Sequence, residues 1–273
     1  MEKLLKSSLS IIIVLCFLSC KNDDNKRTLA EKRYKKAVFF TQGSTAFQNG
    51  IAESVEIDST YEQAVYELSV AHLKRGMPNK WKPQYDKALK LDSVNRIPWR
   101  GYLYLWFYRD YKKAIADFDK SDVLTPNFID APQGLSVDCW RGIAYLGLKN
   151  YEKSIFYFDK YIDKEIADFS ESSVDVTAFL FQGIAYLELK NYAKADACFN
   201  RVIKNSYGFS ADAKYYKTII LAEQQKNEEA IIMINAALKD FNDGYYNQRP
   251  YVETLRQLYL SDYQELKKSL SNK

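Results

Sequence analysis

The chain has 273 residues, with 39 Lys+Arg against 35 Asp+Glu and a formal net charge of +4. Hydrophobic residues make up 47% and charged residues 27%, the balance of a folded chain and not of a disordered one. No block of five like charges occurs, which excludes a nucleic-acid arm or an acidic tail, and ten Gly with six Pro leave few helix breakers.

The chain opens on an address. Lys3 and Lys6 precede an apolar run from Leu9 to Leu18, broken only by Ser10. The run is shorter than the roughly 20 apolar residues that a permanent membrane span needs. Ser19 supplies the small residue that precedes a signal-peptidase cut. The ending Phe17-Leu18-Ser19-Cys20 resembles the lipobox of bacterial lipoproteins, whose Cys is acylated and becomes the first mature residue; Phe17 stands where that family usually has Leu. The resemblance implies a signal peptide over residues 1–19, lipidation at Cys20 and anchoring in a cell envelope. An ordinary secretory peptide is the other reading of the same residues. Lys21 is not the Asp that holds some lipoproteins at the inner membrane, and Lys21-Asn22-Asp23-Asp24 is similar to the charged export signals of Bacteroidetes surface lipoproteins. The outer membrane is therefore the expected location, with its periplasmic and surface faces both open. Residues 20–30 are polar and predict a flexible tether.

From there a repeat takes over. The segment Gly142-Ile143-Ala144-Tyr145-Leu146-Gly147-Leu148-Lys149-Asn150-Tyr151 returns almost unchanged from Gly183 to Tyr192, 41 residues on. A triplet spaced i, i+4, i+7 also recurs: Phe47/Ile51/Ser54, Trp81/Tyr85/Ala88, Ala114/Phe118/Ser121, Ser154/Phe158/Tyr161, Ala195/Phe199/Val202 and Ala230/Ile234/Ala237. That spacing places three side chains on one helix face. Another apolar periodic stretch precedes each triplet, so each unit is a helix pair.

A period near 34 with these features resembles the tetratricopeptide repeat family. Gly183, Tyr186, Ala195 and Phe199 fit its pattern, as do Gly142, Tyr145, Ser154 and Phe158 one unit earlier, while Asp138 replaces an expected aromatic. The resemblance covers about 27–240 and implies an all-α solenoid of about six helix pairs, because stacked neighbours bury faces that one pair cannot. Longer loops are expected at 124–134 and 166–173, where the repeat steps lengthen. Pro250 to Leu270 predicts one more amphipathic helix that caps the array, so the repeat domain runs over 31–270.

Little chemistry is on offer. His72 is the one histidine and sits at a packing position of a first helix. No C-x-x-C, G-x-S-x-G, P-loop or dinucleotide fingerprint occurs, so neither a metal, a cofactor nor an enzymatic role is expected. Cys139 and Cys198 lie in apolar helical patterns and are expected to be buried thiols. Most of the 22 Tyr, 15 Phe and 4 Trp are expected to pack, large rings against small residues, and some to reach the surface, because a solenoid is mostly surface. In the resembled family the first helix of each pair lines a concave groove, which puts Tyr66, Val70, Tyr102, Trp106, Ile143, Leu146, Leu180 and Ile184 toward it. An aromatic groove suits an extended peptide or a partner's helix. The leading expectation is a membrane-anchored protein-interaction scaffold. The alternatives are a structural subunit of an outer-membrane assembly or secretion complex, and a glycan-binding lipoprotein of a nutrient-uptake system.

Overall fold

The computed structural model describes residues 25–271. The leader, Cys20 and the start of the expected tether lie outside the described residues. Regular structure among the described residues is helical throughout: α1 (25–37), α2 (Thr45–Ile57), α3 (Glu62–Lys74), α4 (Pro78–Leu91), α5 (Ser93–Leu103), α6 (Tyr111–Leu124), α7 (Val137–Gly147), α8 (Tyr151–Asp168), α9 (Val176–Glu188), α10 (Tyr192–Asn205), α11 (Ala211–Glu223), α12 (Asn227–Asn242) and α13 (Leu260–Ser271). Successive helices pair from α1/α2 to α11/α12, and α13 follows. This is the all-α, repeat-built solenoid that the periodicity predicts. The chain divides into two compact units, the first ending at Arg96 and the second beginning at Ile97, a division the repeat pattern does not mark.

The triplets are the core. All eighteen of their side chains are buried, from Phe47, Ile51 and Ser54 in α2 to Ala230, Ile234 and Ala237 in α12. The near-identical segments also have a physical reading. A Cβ at Gly142 would stand 2.8 Å from the Phe158 ring, and one at Gly183 would stand 2.6 Å from Phe199. Each phenyl ring therefore packs directly on the backbone of the preceding helix, and only Gly leaves room for it. Lys149 and Lys190 take the left-handed conformation (φ 59° and 57°) that ends α7 and α9. Asn150 and Asn191 then cap α8 and α10, accepting from the backbone N–H of Lys153 and Lys194. Those lysines place their ammonium groups over the Tyr145 and Tyr186 rings, at 5.2 and 5.3 Å. The repeated Lys-Asn-Tyr is thus a stop, a cap and a start in three residues.

In the first unit, Ala30, Ala37, Phe47, Ile51, Tyr61 and Ala64 form the core. The tether expected over 20–30 is helical from residue 25. Ala30 is fully buried, its carbonyl accepts from Ser54 Oγ at 2.8 Å, and Arg27 pairs with Asp58. From residue 25 on, the polar letters that suggested a tether are the outer face of an amphipathic helix. In the second unit, part of the length expected as a loop at 166–173 goes into α8, which runs on to Asp168. The 124–134 insertion is a loop, with a short 3-10 turn at Pro132–Gly134.

The largest departure is at the C-terminal end. The helix expected over 250–270 begins only at Leu260. Residues 245–259 form a non-helical strap, with Tyr251 and Arg256 in the left-handed region at φ 71° and 58°. Arg249 precedes Pro250, whose ring disfavours helix for the residue before it.

Candidate functional site

In the second unit the first helices of the pairs are α5 with its continuation, α7, α9 and α11. Beyond Leu103 the backbone widens into a π-helical turn, Tyr104–Tyr108, closed by Arg109 in the left-handed conformation at φ 53°. Such turns often occur at functional sites. Here the turn carries Trp106, and Arg109 stands at its end.

Of the residues expected to line an open groove, Tyr102, Trp106, Ile143, Leu146, Leu180 and Ile184 are all buried in the second unit. Trp106 is 2% exposed, so it is not the accessible anchor that a groove reading requires. Tyr66 and Val70 belong to the first unit and are half-buried. The Tyr66 ring lies under the Arg96 guanidinium at 3.8 Å, and Arg96 is itself held by both oxygens of Glu62.

The strap explains the covered face. The Arg249 guanidinium stacks on Trp106 at 3.9 Å from the ring centre, with Tyr102 and Trp140 at 5.6 and 5.8 Å. It donates to the Tyr102 hydroxyl at 2.5 Å. The rings form a cage of their own, with Tyr102 and Trp106 each edge-on to Trp140. Further along, Arg109 donates to the carbonyls of Glu253 and Thr254, and Arg256 pairs with Glu188 at the end of α9. At the strap's start the Asn247 N–H donates to Asp212 Oδ2 at 2.7 Å. The Ala211 N–H donates to the Tyr245 carbonyl at 2.8 Å. Gln257 closes the strap on itself, donating to the carbonyls of Asn247 and Leu258 and accepting from Thr254 N–H. A segment without helix or sheet must place its backbone groups somewhere. This one places them on the Ala211 N–H, on the side chains of Arg109 and Asp212, and on Gln257 of the strap itself.

Sequence reasoning missed Trp140, Arg109, Arg249, Asp212 and Glu188. Pro250 offered a signal for the strap, since Asn247-Gln248-Arg249 before it cannot open a helix comfortably. Nothing in one sequence pairs Arg249 with Tyr102, 147 positions away.

Two clefts flank the strap. One of about 540 Å³ is lined by Leu180, Tyr207, Phe209, Tyr245 and Tyr246 among others, and one of about 560 Å³ by Glu188, Tyr215, Tyr216, Arg256 and Leu258. Among the described residues no group of His, Cys, Asp and Glu is placed to hold a metal ion. Cys139 and Cys198 are free and buried, and burial pushes both thiols up, Cys198 to about 12. No described helix is long and apolar enough to cross a membrane.

Asp212 is the titratable group that ties the strap down. It is 3% exposed, and burial pushes its carboxyl up to about 6, against the pull of the Asn247 N–H that favours the anion. The unfolded chain ionises near 3.9. The burial cost is therefore absent below about pH 4, builds as the pH rises to about 6, and then stays level, so this group makes the fold less stable across that window. Relative to wild type, Asp212→Asn should gain about 2 to 3 kcal/mol between pH 4 and pH 7. Urea midpoints of both proteins at the two pH values check this. A difference that does not change with pH would refute the assignment.

Helix pairs with Gly–Phe contacts, capped by Asn and stacked through buried triplets, define a helical-repeat protein. A tetratricopeptide repeat family model matches residues 139–163 and 176–207, so the α7/α8 and α9/α10 pairs are tetratricopeptide repeats. No curated protein matches the chain. Among solved structures it is similar to a Pseudomonas aeruginosa protein, PilF, at 16% identity and a TM-score of 0.60, over 91% of this chain and 98% of that one. It is also similar to PilW, described as a widely conserved type IV pilus biogenesis factor, at 14% identity and 0.58 over 81% and 94%. A third likeness is to YrrB, described as a tetratricopeptide repeat protein with an unusual peptide-binding site, at 19% identity and 0.52 over 71% and 93%. At these identities the likeness establishes the fold.

Proposed function

We propose that this chain is a non-catalytic, lipid-anchored protein-interaction scaffold of a bacterial cell envelope, which receives an extended segment of a protein partner on the first helices of its second unit. The observation that carries the reading is the strap. A non-helical stretch of polypeptide already lies there, held through its backbone carbonyls by Arg109 and through its side chains by Tyr102 and Glu188. A surface that holds one extended segment by such contacts has the shape and the donors to hold another. Tetratricopeptide repeats generally serve as scaffolds, and PilF and YrrB supply the fold likeness. The anchor rests on the Leu18-Ser19-Cys20 ending, and the outer membrane on the residues that follow it.

Two measurements test the reading. Wild-type protein should enter the detergent phase of a phase separation, because two or three acyl chains hold firmly where one is marginal. Cys20→Ser should move it to the aqueous phase or leave the leader uncut. Aqueous wild-type protein would remove the anchor. Crosslinking in the native cell, followed by capture through the C terminus, should then recover a protein partner. Recovery only within a large membrane complex, with no separable partner, would favour the structural-subunit reading instead.

A further inference from the structure

We infer that Tyr102, Trp106 and Trp140 form a binding site for the guanidinium of an arginine in a partner's extended segment, and that Arg249 of the strap fills this site in the free protein. The inference rests on the scaffold reading and names the chemistry that the inner face selects.

Three aromatic rings surround one cation at 3.9, 5.6 and 5.8 Å, and a hydroxyl accepts from it. A planar guanidinium suits such a cage better than an ammonium, since it stacks on a ring and still donates at its edge. Among the described residues no carboxylate lies within salt-bridge distance of Arg249, although the Asp175 charge acts on it from further off. A cation that serves only to pin a strap would more simply be given an acid, as Arg256 is given Glu188. The Arg109 guanidinium stands on the same indole, 5.6 Å from the Trp106 ring centre, and is likewise in no ion pair among the described residues.

The strap is moreover an incomplete occupant. Trp106 Nε1 and Arg109 Nη1 are buried at this site without an acceptor. Buried donors are nearly always satisfied in a finished core, so two orphans beside one cage mark a place where a better acceptor belongs. A partner segment that brings both an arginine and a carbonyl or carboxylate would satisfy what Arg249 leaves open. The strap has no helix or strand of its own and is held by separate hydrogen bonds and one ion pair, which a competing segment can replace one by one. Burial pushes the Arg249 guanidinium below its ordinary value and the Arg109 charge adds to this, against the opposing pull of Tyr102 and Asp175, so the present occupant is held at a cost.

The test uses the full chain purified in detergent and a synthetic peptide of residues 245–258, with a second peptide that carries alanine in place of its arginine at 249. Arg249→Ala protein, whose cage is vacant, should bind the arginine peptide at least tenfold more tightly than wild type does. The alanine peptide should bind that variant at least tenfold more weakly than the arginine peptide. Should Arg249→Ala lose helix content, Arg256→Ala serves instead, because it frees the other end of the strap and leaves the cage intact; it too should bind the arginine peptide more tightly than wild type. Equal binding of the two peptides overturns the cage and leaves peptide recognition standing. Equal binding by wild type and both variants overturns the strap as competitor. No binding of either peptide by well-folded protein overturns the arginine site, and the scaffold reading then stands or falls on cellular capture alone.

Discussion

Trp106→Ala should lower the stability of the folded chain by about 3 to 5 kcal/mol, the cost of deleting a large ring from a packed site. The indole is 2% exposed, lies edge-on to Trp140 at 6.0 Å and carries Arg249 on its face. For a chain of this size such a loss lowers the melting temperature by on the order of 10 °C. Trp106→Phe should cost clearly less, because it keeps an aromatic face beneath Arg249 and removes the unpaired Nε1 donor. Urea unfolding followed by circular dichroism separates the cases. A loss below about 1 kcal/mol for Trp106→Ala would place the ring outside the core, as an exposed groove anchor, and contradict the packing described here.

The second large effect is expected at Arg141. Its side chain is 1% exposed and holds three acids, with Nη1 2.8 Å from Asp138, Nε 3.1 Å from Asp119, and Nη2 on Asp122. Asp119 and Asp122 are well exposed and would return to water without the arginine. Asp138 is 2% exposed and would not. Among the described residues Lys160 alone, at 2.9 Å and itself half exposed, would remain in an ion pair with it. Arg141→Met should therefore cost about 3 to 5 kcal/mol, most of it the penalty of a buried carboxylate left with a weaker partner. Replacing both residues, Arg141→Met with Asp138→Leu, should recover much of that loss. If the double variant proves as unstable as the single one, the cost lies in the shape of the guanidinium and not in the stranded charge.

The repeat was legible because its causes are local. The i, i+4, i+7 triplets follow from helix geometry alone, and every one of them is buried. Gly142 and Gly183 fit the small-residue place of the resembled family's first helix, and the structure puts Phe158 and Phe199 against them. Asn150 and Asn191 recur with that segment, and the structure shows why: each caps the helix that follows it. The boundaries were less secure where composition stood in for periodicity. Residues 25–30 look polar as a string, yet Ala30 and Arg27 face α2 once the helix forms.

The candidate site was legible only in part, and for a physical reason. Tyr102 and Trp106 are visible as unusual aromatics on a first helix, and their face of that helix follows from spacing. Whether that face meets water depends on residues 245–259, which are held by contacts such as Arg249 to Tyr102 and Arg109 to Glu253 and Thr254. Amphipathic spacing suggested a helix from Pro250. In the folded chain the pull of Arg109, Asp212 and Glu188 on backbone and side chains of this segment outweighs a short helix's own propensity, which is marginal without packing. Helix starts, stops and buried faces are settled by neighbours a few residues apart, and the chain carries them in plain order. Which segment covers the first helices is settled by groups that meet only after those helices have stacked, and that decision belongs to the tertiary structure.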